Sequence, residues 1–227
     1  MKKLFVLFIL LTFSNLHAQI NEIGVFAGGT SFIGDVGKMN YVGLDEPAVG
    51  LLYRWNRSTR HAWRASLTHA KIADFDSKSN MPSRLKRGYS FHNTVTELAA
   101  GLEFNFFDYD LHSLNNQFTP YVFVGLAGFS YHELAIYYGQ NYRLEKNKFS
   151  MAIPMAVGVK SKFTRNFTVG AEIGFRYTFT DNLDGSHPSN EKYQSLRFGN
   201  LNSNDWYVFT GITLTYTFGQ NPCFCPF

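Results

Sequence analysis

The sequence offers few residues whose types and spacing favour catalysis or metal binding. Two histidine–serine neighbours, His187 with Ser189 and His112 with Ser113, have the residue types of a lipid hydrolase or acyltransferase; the alternative is that they are solvated loop residues. No phosphate-binding glycine loop and no G-x-S-x-G elbow occurs. The remaining histidines are scattered, with no pair at metal-ligand spacing. We therefore expect no enzyme, no catalytic residues, no metal and no cofactor.

Eight charged residues stand at alternating positions within segments that are otherwise apolar or built of small residues. They are four acids and four bases, and buried charges need partners. If they share one interior, the simplest interpretation is a mutually neutralising charge network; the alternative is an ion path or a catalytic carboxylate pair. The eight residues are Glu22, Arg54, Arg64, Glu97, Glu103, Lys160, Glu172 and Arg176.

Two further groups carry chemistry near loops and at the end of the chain. Arg84, Lys86 and Arg87 form a basic run that is either a contact for lipopolysaccharide phosphates or a solvated loop. Cys223 and Cys225 are one residue apart, a strained spacing for an internal disulfide, which leaves a constrained ring, a bond to a partner or free thiols. The tail that holds them, residues 219–227, is either a docking peptide or an overhang.

The composition and the first residues limit the classes of protein to which the chain can belong. The chain has 227 residues, of which 45% are hydrophobic, 17% aromatic and 17% charged, and its net charge of +4 is too mild to argue for nucleic acid. Residues 1–18 have a basic start, an apolar run of about ten residues and a small residue at Ala18, which predicts a cleaved secretory signal. No other stretch is apolar enough for a transmembrane helix.

Period-two alternation dominates the remaining chain and predicts β-strands. The clearest case is 167–180, where Phe167, Val169 and Ile173 alternate with Thr168, Gly170 and other small or polar residues. We find no convincing amphipathic helix. The sequence predicts eight strands, at 22–34, 48–55, 61–71, 91–107, 118–132, 149–163, 167–180 and 206–218.

The connections alternate in length along the chain. Short turns at 56–60, 108–117 and 164–166 alternate with long loops at 35–47, 72–90, 133–148 and 181–205. Outer-membrane barrels have short periplasmic turns and longer external loops. The pattern therefore predicts an eight-stranded antiparallel transmembrane β-barrel over 19–218, with both termini in the periplasm.

Alternation alone does not separate a membrane barrel from a secreted lipocalin-like barrel, whose apolar face points inward. Here the apolar faces are bulky and aromatic, whereas the opposite faces are rich in Gly, Ala and Thr, which suit the narrow lumen of eight strands. Aromatic residues also gather near strand ends, as in interfacial girdles. The terminal strand ends in Tyr216-Thr217-Phe218, which resembles the assembly signal of outer-membrane barrels. These features favour the membrane barrel.

Six segments resemble the PorG-like outer-membrane proteins of the type IX secretion system. The most telling are the first and the fifth, each of which places glycine, an acid and aromatic residues at a strand-to-loop junction. The similarity runs along nearly all of the chain after the signal segment. The segments are 22–35, 97–107, 120–126, 153–160, 172–181 and 205–211.

The resemblance implies a non-enzymatic secretion component that contacts outer-membrane lipids, a periplasmic ring lipoprotein and its ring subunit. The alternative is a free-standing surface barrel such as an adhesin. A barrel lipid hydrolase or acyltransferase is the less favoured alternative. Since a closed barrel offers no free edge strand, a periplasmic partner must use turns and tail. The contact candidates are Asn56, Arg57, Arg60, Thr164, Arg165, Asn166, Cys223, Cys225 and Phe227.

Overall fold

The structure, a computed structural model, describes residues 20–38, 41–111, 113, 115–189, 191–200 and 203–219. The predicted signal segment 1–18 lies outside these residues, as do His112 and the tail residues Cys223, Cys225 and Phe227.

Eight strands make up most of the described chain. Their ends agree with the predicted ends to within a few residues, except where β3, β5 and β6 extend further into the long loops. The strands are β1 (Ile20–Ile33), β2 (Glu46–Asn56), β3 (His61–Phe75), β4 (Ser90–Asn105), β5 (Phe118–Tyr137), β6 (Gln140–Lys162), β7 (Phe167–Thr178) and β8 (Trp206–Phe218).

Each strand pairs antiparallel with the next, and β8 pairs with β1, so the sheet closes. The predicted eight-stranded antiparallel barrel is confirmed. One end of the barrel, the short-turn end, carries the connections 57–60, 106–117 and 163–166 together with the start of β1 and the end of β8. The opposite end, the long-loop end, carries the loops 34–45, 76–89 and 179–205.

The outer face of the barrel is apolar, because successive side chains of a strand point to opposite sides. On β7, Thr168, Glu172 and Arg176 are buried inside, whereas Phe167 and Val169 are exposed outside. A closed barrel with an apolar outer face is a membrane barrel, and a lipocalin-like barrel has the opposite arrangement. Other exposed members of this apolar band include Ile23, Val25, Leu51, Leu98, Val124, Leu126, Phe149, Met151, Val157, Ile212 and Leu214.

The interior has two layers of different chemistry. Toward the long-loop end, an apolar layer is packed from aromatic side chains such as Phe32 and Phe91, whose rings meet edge to face at 4.6 Å. Val36 and Leu183 reach into this layer from the long loops and are fully buried. Toward the short-turn end, the interior is filled by charged side chains.

The segment 133–148 differs from its prediction as a loop. β5 and β6 continue as a hairpin that turns at Tyr138 and Gly139, which have φ angles of 48° and 75°. Positive φ at both central residues gives the tight turn whose twist matches the flanking strands. The sequence does not reveal this extension because polar residues and a register shift between His132 and Leu134 interrupt the alternation.

Two of the other long loops carry short helical elements. A helix, α1 (Pro82–Arg87), stands in the loop 76–89, and single 3₁₀ turns occupy Asp76–Lys78 and Glu191–Leu196. Among the described residues, no helix has the length and apolarity needed to cross a membrane.

Candidate functional site

The predicted charged residues all lie inside the barrel, where they form two clusters. In the larger cluster Glu103 accepts hydrogen bonds from Arg54 Nε (2.9 Å) and Lys160 Nζ (2.6 Å). Arg64 donates two hydrogen bonds to the carboxylate of Glu172, at 2.6 and 2.8 Å. Such a fork-to-carboxylate pair fixes both side chains in orientation.

Glu22 completes the larger cluster at the seam between β1 and β8. Its carboxylate accepts hydrogen bonds from Arg54 Nη1 (3.3 Å), Asn56 Nδ2 (2.9 Å) and Thr215 Oγ1 (2.7 Å). Glu22 and Arg54 have no exposed surface. The seam that closes the barrel is therefore joined to β2 by buried charge pairing as well as by backbone hydrogen bonds.

The smaller cluster joins Glu97, Arg176 and Tyr207. Arg176 Nε lies 3.4 Å from both carboxylate oxygens of Glu97, and the Tyr207 hydroxyl donates to the same carboxylate at 2.6 Å. The guanidinium of Arg176 also lies 4.2 Å from the ring centroid of Phe209, an attractive arrangement for a cation and a π face. This cluster adjoins the apolar layer.

All four acids and all four bases take part in an ion pair. Each of them is at most 4% exposed. An eight-stranded barrel has room only for the side chains that fill it, and here those side chains hold one another. The geometry therefore favours a neutralising network over an ion path or a catalytic carboxylate pair.

Three members of this network were missed by sequence reasoning. The Tyr121 hydroxyl donates a hydrogen bond to Glu172 at 2.6 Å. Tyr207 donates to Glu97 in the smaller cluster, and Thr215 donates to Glu22. The signal was available for Tyr207 and Thr215, since they share the parity of the inward residues on β8. Tyr121 lies on β5, which is apolar on both faces, so its direction was ambiguous.

The loop 106–117 folds under the barrel and closes the short-turn end. Tyr109 is buried, its hydroxyl is 3.1 Å from Thr168 Oγ1, and its ring lies below Lys160 Nζ. Lys162 Nζ donates to the carbonyl oxygens of Leu111 (2.7 Å) and Ser113 (2.5 Å). The described residues of this loop therefore form a plug, whereas the sequence predicted only a short turn at 108–117.

The predicted partner contacts at the short-turn end separate into exposed and engaged residues. Thr164, Arg165 and Asn166 are exposed at the tip of the turn between β6 and β7. Arg57 is exposed and lies over the Trp55 ring at 5.1 Å. Arg60 is held by Asp108, with 2.7 Å between Nε and Oδ1.

Asn56 does not belong with these surface residues. Its side chain is 5% exposed and donates to Glu22 inside the barrel. As the last residue of β2 it has the inward parity of Arg54, which explains its position. Asn56 is therefore part of the charge network and is not accessible to a partner.

Aspartates tie the long loops together at the opposite end. Asp184 accepts hydrogen bonds from the amides of Asp35 and Val36, both at 3.0 Å. Asp205 accepts from the amide of Leu183 at 2.9 Å. These bonds hold the two segments whose apolar side chains, Val36 and Leu183, fill the top of the interior.

The basic run lies in this cap and is mostly engaged in structure. Arg84 donates to the carbonyl oxygens of Gly34 and Gly37, and Arg87 binds both oxygens of Asp76. Burial alone would raise the pKa of Asp76, but the Arg87 guanidinium and two backbone amides hold it below its usual value. Lys86 alone remains exposed, so the run is not an open phosphate-binding surface.

Burial raises the pKa of the aspartates in the loop 179–205. Burial, with the nearby charges of Asp184 and Asp35, raises the pKa of Asp181 to about 7. Burial likewise lowers the pKa of His187, whose Nδ1 lies 3.7 Å from Asp181. The Asp181 carboxyl therefore holds its proton more readily, and the His187 imidazole less readily, than the same groups in water, which disfavours a salt bridge between them.

The histidine–serine candidates do not form a catalytic pair within the described residues. The Ser189 hydroxyl accepts a hydrogen bond from Asn182 Nδ2, and the described His187 Nδ1 has no hydrogen-bond partner. His112 lies outside the described residues, and Ser113 binds Lys162 through its carbonyl oxygen. Within the part of the chain that the structure describes, no group of three or more His, Cys, Asp or Glu residues is arranged to hold a metal ion.

A closed eight-stranded barrel with an apolar outer face is a membrane barrel. In this one, paired charges fill the lumen, and loop residues pack against the interior at each end. The chain belongs to the family DUF6089, described as a domain of unknown function, whose model matches residues 1–227. No curated protein matches the chain.

Solved structures resemble the protein in shape at low sequence identity. Ail, the attachment invasion locus protein of Yersinia pestis, solved with the heparin analogue sucrose octasulfate, is 10% identical, with a TM-score of 0.48 over 88% of this chain and 99% of Ail. A major outer membrane protein from Thermus thermophilus is 11% identical, with a TM-score of 0.47 over 89% and 100%. Neisserial surface protein A is 12% identical, with a TM-score of 0.44 over 88% and 95%.

Proposed function

We propose that this protein is a non-enzymatic outer-membrane component of the type IX secretion machinery. Its barrel fixes it in the membrane, and its short-turn end faces the periplasm and contacts the ring built from a lipoprotein and its partner subunit. Cargo export then depends on the position that the barrel gives the ring.

The observation that supports this proposal is the sealed lumen. Glu103, Arg54 and Lys160 fill the interior with paired charges, and the plug that contains Tyr109 covers its base. Such a barrel offers partners a rigid body and two surfaces instead of a passage. The resemblance of segments 22–35 and 172–181 to PorG-like proteins is the reason for proposing the type IX secretion machinery in particular.

The surface assigned to the ring is the set of short turns. An even number of strands places both ends of the barrel sequence and all three short connections on one side. A cleaved signal delivers the chain to the periplasm, and outer-membrane barrels have their short turns on the periplasmic side. We therefore assign this side to the periplasm. Arg57 and Arg165 supply exposed positive charge there, whereas Arg60 is already neutralised by Asp108.

The proposal is tested by complementation of a strain that lacks the gene. The wild-type chain should restore secreted cargo in the medium and co-purify with the ring subunits. The double variant Arg57→Glu, Arg165→Glu should reach the membrane in equal amount but lose both readouts, because it reverses the charge of the proposed contact surface. The matched control, Lys86→Glu at the long-loop end, should behave as the wild type.

Two outcomes would contradict the proposal. If cargo appears in the medium of the deletion strain as in the parent, the protein is not a secretion component. If secretion is lost but the double variant still recovers the ring, the contact lies elsewhere. A heat-dependent shift in gel migration verifies that each variant is a folded barrel.

The second candidate function is a free-standing surface barrel. The ordered cap at the long-loop end, where Asp184, Asp205 and Asp76 bind backbone amides, favours it, since a built external surface suits recognition. In that case function depends on the long-loop end, where Lys86 lies. The double variant Arg57→Glu, Arg165→Glu should then complement the deletion strain as fully as the wild type does.

A further inference from the structure

The β5–β6 hairpin stands well beyond the apolar band. Phe149 is 73% exposed on the outer face and Asn147, the next outward residue toward the tip, is polar. β6 begins nine residues before Phe149, at Gln140. At about 3.3 Å per residue the tip lies roughly 30 Å along the strand from the band. The usual strand tilt leaves it about 20 Å above the hydrocarbon.

The tip displays tyrosines to solvent. Tyr138 is 88% exposed and has a φ of 48°, an uncommon conformation for a bulky residue. Its ring centroid lies 4.4 Å from that of Tyr137, which lies 6.2 Å from that of Tyr142. Clustered exposed aromatic rings outside a membrane mark a binding surface.

Of these rings, Tyr137 and Tyr142 border a crevice of about 390 Å³ between the hairpin and the 3₁₀ helix Glu191–Leu196. Its volume lies within the range of small-ligand sites and fits one or two sugar rings. The side chains that shape it include Tyr137, Tyr142, Arg143, Lys192, Tyr193 and Leu196.

The charged side chains that line the crevice are cationic. Arg143 is exposed and is in no ion pair among the described residues. Lys192 stands on the opposite wall, with Nζ 5.8 Å from the ring centroid of Tyr193. None of the described side chains that line the crevice is acidic. A guanidinium in this setting pairs with a phosphate, sulfate or carboxylate group.

We propose that this crevice binds an anionic saccharide. The apolar C–H face of a sugar ring packs on the tyrosine rings, its hydroxyl groups bind their polar tips, and its acidic group binds Arg143 and Lys192. The crevice lies in the layer occupied by surface sugars, so the saccharide comes either from the phosphorylated core of lipopolysaccharide or from an acidic polysaccharide outside the cell. The assignment is independent of any contact at the short-turn end.

Calorimetric titration of the full-length protein in detergent micelles tests the assignment. The probes are deacylated, phosphorylated lipopolysaccharide core oligosaccharide, tetragalacturonate and, as the neutral comparison, maltotetraose. At least one acidic probe should bind saturably, and maltotetraose should not. Arg143→Gln and Tyr142→Ala should each weaken binding about tenfold, because they remove the acid-binding group and a stacking surface.

Matched variants outside the crevice keep the test specific. Arg57→Gln removes an exposed arginine beside an aromatic ring at the opposite end, and Tyr41→Ala removes an exposed tyrosine from another long loop. Both should bind as the wild type. Preference for the core oligosaccharide identifies lipopolysaccharide as the source, and preference for tetragalacturonate identifies an external polysaccharide.

Three results would overturn the assignment. One is the absence of binding of both acidic probes at millimolar concentration. Another is equal binding of maltotetraose, and the third is unchanged affinity in Arg143→Gln. Because both crevice substitutions are at exposed hairpin positions, gel migration with and without heating shows whether the barrel is intact.

Discussion

At the scale of single residues, the lumen shows what buried charge requires. A carboxylate in an apolar interior is tolerated only when cations and hydrogen-bond donors surround it. Glu103 satisfies this condition through Arg54 and Lys160, with Arg64 at 3.6 Å. Removal of one partner leaves the others buried without compensation, which costs more than the pairing itself contributes.

Glu103→Gln should therefore lower the free energy of unfolding by about 3–5 kcal/mol, because it strands the charges of Arg54 and Lys160. Urea unfolding of the protein in lipid vesicles measures this. Glu46→Gln, a partly exposed acid at the start of β2, serves as the control and should change stability little. A loss below about 1 kcal/mol for Glu103→Gln would show that the pairs do not form.

The Asp181 carboxyl gives the long-loop end a dependence on pH. Its pKa is raised to about 7 by burial and by the charges of Asp184 and Asp35. A raised carboxyl pKa stabilises the folded cap at low pH, and this stability is lost as the pH rises through about 7. Burial also raises the pKa of Asp205 and Asp184, so they act in the same direction.

Protection of the Leu183 amide from hydrogen exchange, corrected for the intrinsic rate, should fall between pH 5 and pH 8. Asp181→Asn should remove the part of this change that lies below about pH 7, because the amide cannot ionise. His187, whose pKa is lowered by burial, and the Arg197 cation also face this region. Asp108→Asn at the other end is the control. Equal pH profiles for Asp181→Asn and the wild type would refute the assignment to Asp181.

At the scale of elements, the loop 106–117 is better described as part of the interior than as a turn. It contributes Tyr109 and Leu111 as a small separate apolar cluster, and Lys162 binds two of its carbonyl oxygens. Packing of this kind gives a connection the stability of the barrel wall. It also withdraws these side chains from the surface that a partner meets.

Tyr109→Ala should cost about 3 kcal/mol of unfolding free energy, because it empties the space below Lys160. Tyr109→Phe, which keeps the ring and loses only the hydroxyl contact with Thr168, should cost about 1 kcal/mol. Denaturant midpoints of both variants provide the comparison. Equal effects of the two substitutions would mean that the ring is not packed under the barrel.

At the scale of the whole molecule, buried side chains of the described residues fill the barrel at three levels. The cap at the long-loop end inserts Val36 and Leu183, the apolar layer and charge network fill the middle, and the plug covers the base. Adjacent levels contact each other, since Tyr109 lies against Lys160 and the apolar layer includes Val36 and Leu183. The molecule is therefore a sealed body with two chemically different surfaces.

The purified protein should show no steady ion conductance in planar bilayers, because buried side chains fill the described part of the lumen. A large porin in the same membrane is the positive control. Weakening one level, as in Tyr109→Ala, should still give no channel, because the other two remain closed. Regular open steps from the wild-type protein would contradict the sealed lumen.

Much of this arrangement could be predicted from local pattern. The alternation along β7 assigned Glu172 and Arg176 to the inner face, and the number of turns implied closure with both ends together. The prediction was poorer where polar residues broke the alternation, as in 133–148. It was also poorer where a loop folded inward, as Tyr109 does, because burial of a loop depends on the space left by distant strands.

By itself, then, the sequence determined the strand count, the inward direction of the eight charged side chains of the network and the apolar outer face, because the two directions follow from alternation within one strand. Only the tertiary structure decided which charges pair, how the ends are sealed and where the crevice opens. Arg64 and Glu172 are 108 residues apart, and Thr215 and Glu22 are 193 apart. Such partners meet only once the barrel has closed, since closure sets the stagger between strands.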